Sequence, residues 1–125
     1  MQIEGAVAMV TGGANGLGLA IAIHLQKHGA KVVVVDIDAE ALARLPDDIE
    51  GYVPDVTCLD DAKSIVNAVI KSYGRIDVLV NNAGVIFSEP MVNIMSSIEM
   101  MHNYERFRKS ITVNLDSVFI MTSVV

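Results

Sequence analysis

The sequence predicts an α/β fold built on a parallel sheet, and three observations carry the prediction. A short apolar run, Ala6–Val10, leads into Thr11-Gly12-Gly13-Ala14-Asn15-Gly16-Leu17-Gly18 and then a helical stretch from Leu19 to His28. A second run, Val32-Val33-Val34-Val35, is continuously β-branched, as expected of a strand buried on both faces of a parallel sheet. Strand-like and helix-like segments then alternate along the rest of the chain.

Taken in order, strand one covers Ala6–Val10 and the first helix runs from Gly16 to about His28, stopped by Gly29. Strand two is Lys31–Asp36. A short helix follows over Ala39–Arg44, with Pro46 just past its end. A short strand near Gly51–Pro54 leads to Asp55, and a longer helix from about Asp60 to Ser72 is closed by Gly74. Strand four is Ile76–Val80. Four strands joined by helical crossovers imply the order 3-2-1-4, a Rossmann-like doubly wound sheet. From Phe87 to about Asn103 the pattern is weakest, and Met91, Met95, Met100 and Met101 suggest packing there. A last helix begins near Tyr104 and continues to Val125. There is no internal repeat or linker, so residues 1–125 read as one domain.

The strand, glycine-rich turn and helix make an anion site. A helix N-terminus presents unpaired N–H groups and about half a positive charge, and glycines let a phosphate approach the backbone. The spacing is G-x-x-x-G-x-G, carried by Gly12, Gly16 and Gly18 with Asn15 and Leu17 between them. A tight turn with no ligand would look the same. Strand two, however, ends in Asp36-Ile37, about 20 residues beyond the glycines, where an acid can accept hydrogen bonds from an adenosine ribose. A 2′-phosphate there would meet like charge, and the turn carries no Lys or Arg to offset it. The combination favours NAD over NADP, although Asp36 would also suit the turn that follows.

Composition is consistent with this reading. The chain is 52% hydrophobic but only 5% aromatic, so its core is expected to be built from Val, Ile, Leu, Ala and Met. A net charge of −6 argues against nucleic acid or an anionic membrane surface as partner. Backbone amides hold a pyrophosphate, so an acidic protein can still bind NAD. Cys58 alone gives neither an intramolecular disulfide nor a metal set, and His24 and His28 lack the flanking acid of a zinc motif. No apolar run reaches the roughly 18 residues of a membrane helix, and residues 1–5 lack signal-peptide character. An intracellular, cytoplasmic location is expected, an organelle included.

These motifs resemble the short-chain dehydrogenases/reductases. Thr11-Gly12-x-x-x-Gly16-x-Gly18 is similar to that family's cofactor turn, Asp36 to its NAD-selecting acid, and Asp55-Val56 to its adenine-contacting pair. Asn81-Asn82-Ala83-Gly84 is similar to its N-N-A-G motif, and Val113-Asn114-Leu115 to the V-N-L segment of its long interface helix. The resemblance implies hydride transfer between NAD and a small-molecule alcohol or ketone. It implies that Gly12, Asn15, Gly16, Leu17, Gly18, Asp36, Ile37, Asp55, Val56, Asn82, Ala83 and Gly84 bind cofactor. It also makes Asn114 the asparagine of the catalytic tetrad, bending its helix and holding a relay water, with the last helix pairing subunits. From the residues alone, Asp55 could instead cap the following helix, and Asn114, set in the apolar stretch Ile111–Val125, could simply face solvent. Gly12–Ala20 and Pro54–Thr57 look like the type-2 3-hydroxyacyl-CoA dehydrogenases in particular.

The family's chemistry also needs a Ser and a Tyr-x-x-x-Lys. Tyr52, Tyr73 and Tyr104 are followed four residues later by Val56, Asp77 and Arg108. Arg108 would be a poor proton relay. Val118–Val125 stops without a helix-ending residue, and strand four would be left as a sheet edge. The chain is therefore expected to be the N-terminal portion of a dehydrogenase, inactive alone. A non-catalytic NAD-binding module, or a module that pairs through its final helix, is the alternative.

Overall fold

The computed structural model describes residues 2–88, 91 and 103–125. Four parallel strands form one sheet: β1 (Val7–Thr11), β2 (Lys31–Val35), β3 (Ile49–Tyr52) and β4 (Val78–Val80), in the order β3-β2-β1-β4. The predicted 3-2-1-4 sheet is thus the observed one. In register, Val10 lies beside Val34 on one flank and Val80 on the other. The connecting helices are α1 (Gly16–Lys27), α2 (Ala39–Leu42) and α3 (Leu59–Tyr73), and α4 (Tyr104–Ile111) and α5 (Ser117–Val124) follow β4.

Alternation along β1 and β2 sends side chains to two cores. Val7, Met9, Val33 and Val35 pack with Ile65, Val66 and Val69 of α3 and Met121 of α5. Val10, Val32 and Val34 pack with Ala22 of α1, Ala41 of α2 and Ile49. Every residue of β1 and all four valines of β2 are buried, as parallel strands covered on both faces must be.

Element boundaries differ where turn chemistry outweighed propensity. The third strand is Ile49–Tyr52, not Gly51–Pro54: Ile49 is needed to fill the α1–α2 side of the core and pairs with Val32. Pro54, which has no N–H to donate, stays outside the ladder. β1 runs one residue further, to Thr11, and β4 starts at Val78 rather than Ile76. The second helix is a single turn that ends at Leu42, capped at its start by Asp38, whose Oδ1 accepts from the Ala41 N–H at 3.0 Å. The third starts at Leu59 with Cys58 in the N-cap position, and left-handed Gly74 (φ 79°) ends it as expected. Asp60 and Asp61 lie in its first turn, where the helix dipole favours acids.

The last helix does begin at Tyr104, but it is interrupted. Thr112–Asp116 is a π-helical turn between α4 and α5. Most of 87–103 lies outside the described residues, including Met95, Met100 and Met101. Met91 is exposed and does not pack. No helix among the described residues is long and apolar enough to cross a membrane.

Candidate cofactor cleft

The three motif glycines have three different physical reasons. Gly12 has φ +61°, and a Cβ there would lie 2.8 Å from the Ala83 Cα. Gly18 would place a Cβ 2.2 Å from the Gly12 carbonyl oxygen and 2.5 Å from Asn82 Nδ2, so only a bare backbone fits between turn and strand end. Gly16 has φ +54° and open space where its Cβ would be. It is the position at which a ligand phosphate can come up to the main chain. Asn15, the N-cap of α1, makes no side-chain cap bond, so among the described residues the first-turn N–H groups have no side-chain acceptor. Leu17 projects into solvent.

Asp36 follows the end of β2 and ties the turn to the sheet. Its Oδ2 accepts from the Ala14 N–H at 3.0 Å and its Oδ1 from the Asp38 N–H at 3.0 Å. Asp36 thus shapes the turn that follows β2, one of its two sequence readings, and its carboxylate lies beside the glycine turn. Asn15 Nδ2 donates to Asp38 Oδ2 at 3.4 Å, closing the link from α1 to α2. Ile37 is exposed at the same lip.

Asp55 is not the cap of the helix that follows. Its Oδ1 accepts from the Thr57 N–H at 2.9 Å and the Thr57 hydroxyl at 2.6 Å, while its own N–H donates to Asp61. Oδ2 has no hydrogen-bond partner among the described residues and is available to a ligand amine. Val56 beside it is buried and packs into the core.

The Asn82-Ala83-Gly84 segment is fastened by a side chain to which the sequence reading, naming it only as the first residue of the glycine turn, gave no role. Thr11, only 2% exposed, accepts at its hydroxyl from the Asn82 and Ala83 N–H groups, each at 3.1 Å, and donates to the Val80 carbonyl at 3.4 Å. Asn82 Nδ2 donates to the Gly12 carbonyl at 2.9 Å. Turn and strand end are therefore one rigid unit. Its signal in the sequence is the lone hydroxyl ending an otherwise apolar strand.

Asn114 sits in the π turn and is exposed, so its amide is not buried in the apolar stretch around it. Nor is it idle toward solvent. Its Oδ1 accepts from the Val85 N–H and its Nδ2 donates to the Val85 carbonyl, both at 2.8 Å. This pair holds the chain after Gly84 against the helix at the π turn, an irregularity that helices often carry at functional sites. Asn114 Oδ1 also lies 3.2 Å from where a Gly84 Cβ would be.

These segments meet in a cleft of about 690 Å³ at the carboxyl ends of the strands, where ligands of open α/β sheets bind. Gly12, Asp36, Ile37, Asp55, Val56 and the Asn82–Gly84 segment all face it. Asn15, Gly16, Leu17, Gly18 and Asn114 stand outside its lining. The sequence reading missed the far wall, where α4 and the π turn contribute Arg108, Lys109, Thr112 and Val113. Nothing in the local sequence couples residues 108–113 to the glycine turn; only the chain path through the π turn does.

Comparison with known proteins agrees with this arrangement. A sequence model of the "short chain dehydrogenase" family matches residues 6–125. The 3-oxoacyl-(acyl-carrier-protein) reductase FabG of Thermotoga maritima is 38% identical over all of this chain and 50% of its own length. The 3-hydroxyacyl-CoA dehydrogenase type-2 of Bos taurus is 36% identical over 94% of this chain and 46% of its own length. Among solved structures, the 3-ketoacyl-(acyl-carrier-protein) reductase of Brucella melitensis, complexed with NADH, superposes with a TM-score of 0.84 at 31% identity. That match covers 97% of this chain and 49% of the other. The chain thus spans about half the length of the relatives it matches. With the turn, the N-N-A-G unit and the Asn114 helix in the expected order and place, the chain belongs to the short chain dehydrogenase family.

Proposed function

We propose that this chain forms the NAD-binding part of an oxidoreductase that moves hydride between NAD and an alcohol or ketone. The observation that carries the reading is the convergence of Gly12, Asp36, Asp55 and Asn82–Gly84 on one cleft. The residues present fit a dinucleotide: Gly16 leaves open backbone and the α1 N-terminus has no side-chain cap. When bound, NAD supplies a hydride acceptor or donor in its nicotinamide ring.

The chain's own residues do the rest of the binding. The α1 N-terminus and Gly16 receive the pyrophosphate. Asp36 keeps acceptor capacity for ribose hydroxyls and repels a 2′-phosphate, which makes NAD the preferred form. Asp55 Oδ2 accepts from the adenine amine, and Asn82–Gly84 pass close under the nicotinamide half. Asn114, anchored to Val85, positions a water for proton transfer. The Tyr-x-x-x-Lys implied by the family is not among these 125 residues, so by this reading the 125 residues alone bind without turning over.

Fluorescence titration with NADH and NADPH tests the reading. NADH is expected to bind at least tenfold more tightly than NADPH; equal binding refutes the role of Asp36, and no binding of either refutes the cofactor. A second reading, pairing of two copies through α5, is favoured by Phe119, 75% exposed on that helix. Sedimentation of Phe119→Asp against the parent chain tests it: a dimer that persists unchanged removes α5 as the interface.

A further inference from the structure

We propose that Arg108 and Lys109 are the cationic wall of the cleft, which draws in the dinucleotide and sets its affinity through its phosphates. The inference rests on the dinucleotide reading above and adds a residue pair to it. The protein carries a net charge of −6, and among the described residues the other charged side chains that line the cleft, Asp36 and Asp55, are carboxylates. An anionic ligand would be repelled by such a pocket. Two cations on the α4 wall balance these two carboxylates in an acidic molecule.

Ordinary reasons for cations at these positions do not apply. Arg108 and Lys109 stand in the last turn of α4, where free carbonyls would normally favour positive charge. Here the helix does not end: Thr112–Asp116 and α5 carry the chain straight on. Neither side chain makes an ion pair with another described residue. Both are exposed, one turn from Thr112 and Val113 on the same cleft wall. The backbone that carries them is anchored at both ends, by Asn103 capping α4 and by Asn114 bonded to Val85.

The test is NADH titration of the chain at low and high ionic strength, with Arg108→Gln/Lys109→Gln against Lys63→Gln/Lys71→Gln. The second pair removes the same net charge from the exposed side of α3. Neutralising the cleft pair is expected to raise the NADH Kd about five- to twentyfold in dilute buffer. The difference should shrink to within about twofold at roughly 0.5 M salt, where the screening length is a few ångströms. The α3 control should stay within twofold of the parent throughout. Adenosine, which has no phosphate, should compete equally well in all three proteins. Unchanged NADH affinity in the cleft variant overturns the proposal. So does an equal loss in the α3 control, or an equal loss of adenosine binding. A parent chain that binds adenosine but no NADH overturns it as well, and one that binds neither removes the dinucleotide reading itself. Since all four side chains are exposed, thermal melts of the variants are expected to match the parent.

Discussion

Replacing Thr11 by Val keeps the side-chain shape and removes one oxygen. That oxygen is the acceptor for the Asn82 and Ala83 N–H groups, each 3.1 Å away, in a side chain that is 2% exposed. A buried donor left without a partner costs about 1–3 kcal/mol. Asn82 and Ala83 are both half-buried, so water reaches part of the gap, and we expect a loss of about 2 kcal/mol rather than the doubled figure. The consequence for binding should be larger than for an average destabilised variant. The freed segment is the one that carries Asn82–Gly84 along the cleft, and Asn82 loses the alignment that sets its bond to Gly12. Urea unfolding measures the first effect and NADH titration the second, with Thr11→Ser as the partner variant. Serine keeps the hydroxyl and should recover most of the stability and nearly all of the affinity. If Thr11→Val matches the parent in both assays, or if Thr11→Ser is as damaged as Thr11→Val, the hydroxyl is not what joins turn to strand end.

Gly18→Ala forces a methyl against backbone at 2.2 Å, so it should cost about 1–3 kcal/mol or more by overpacking, visible as a lower urea midpoint. Gly16→Ala meets no atom and should cost only about 1–2 kcal/mol for its left-handed backbone, with NADH affinity falling further than stability does. The Tyr52 and Tyr73 hydroxyls both donate to Glu50, and the bond to Glu50, then burial, pushes Tyr52 up to about 12 and raises Tyr73. The folded value exceeds the unfolded one near 10, so this stabilisation is complete below pH 10 and lost as pH rises toward 12. Urea midpoints between pH 9 and pH 12 should therefore fall more steeply for the parent than for Tyr52→Phe, and parallel slopes would remove the effect. Asn114→Ala deletes both bonds to Val85; loss of the π turn should appear as backbone NMR shifts confined to residues near 85 and 112–116.

Local chemistry makes much of this protein legible from its residues alone. A run of valines ending in an acid, glycines spaced to turn a strand into a helix, and helix stops at Gly29 and Gly74 all act over a few residues. Backbone conformation and burial pattern at that range follow from the residues themselves. The third strand differs from its expected place by two residues because its position depends on which side chain fills the space beside Val32 and Ala22, which is a tertiary question.

Sheet order, the place of the glycine turn, and the acids and amides that follow the strands were all written in the residues. How those groups are held was settled by tertiary contacts. These made Thr11 the shared acceptor of two backbone donors, placed the Asn114 amide on Val85 instead of in the core, and brought Arg108 and Lys109 to the same cleft as Asp36. The Asn114–Val85 contact spans 29 positions and the Thr11–Asn82 contact 71. No periodicity in the chain encodes such a contact; it exists because parallel strands end on the same side of the sheet and the returning helix must pass across them.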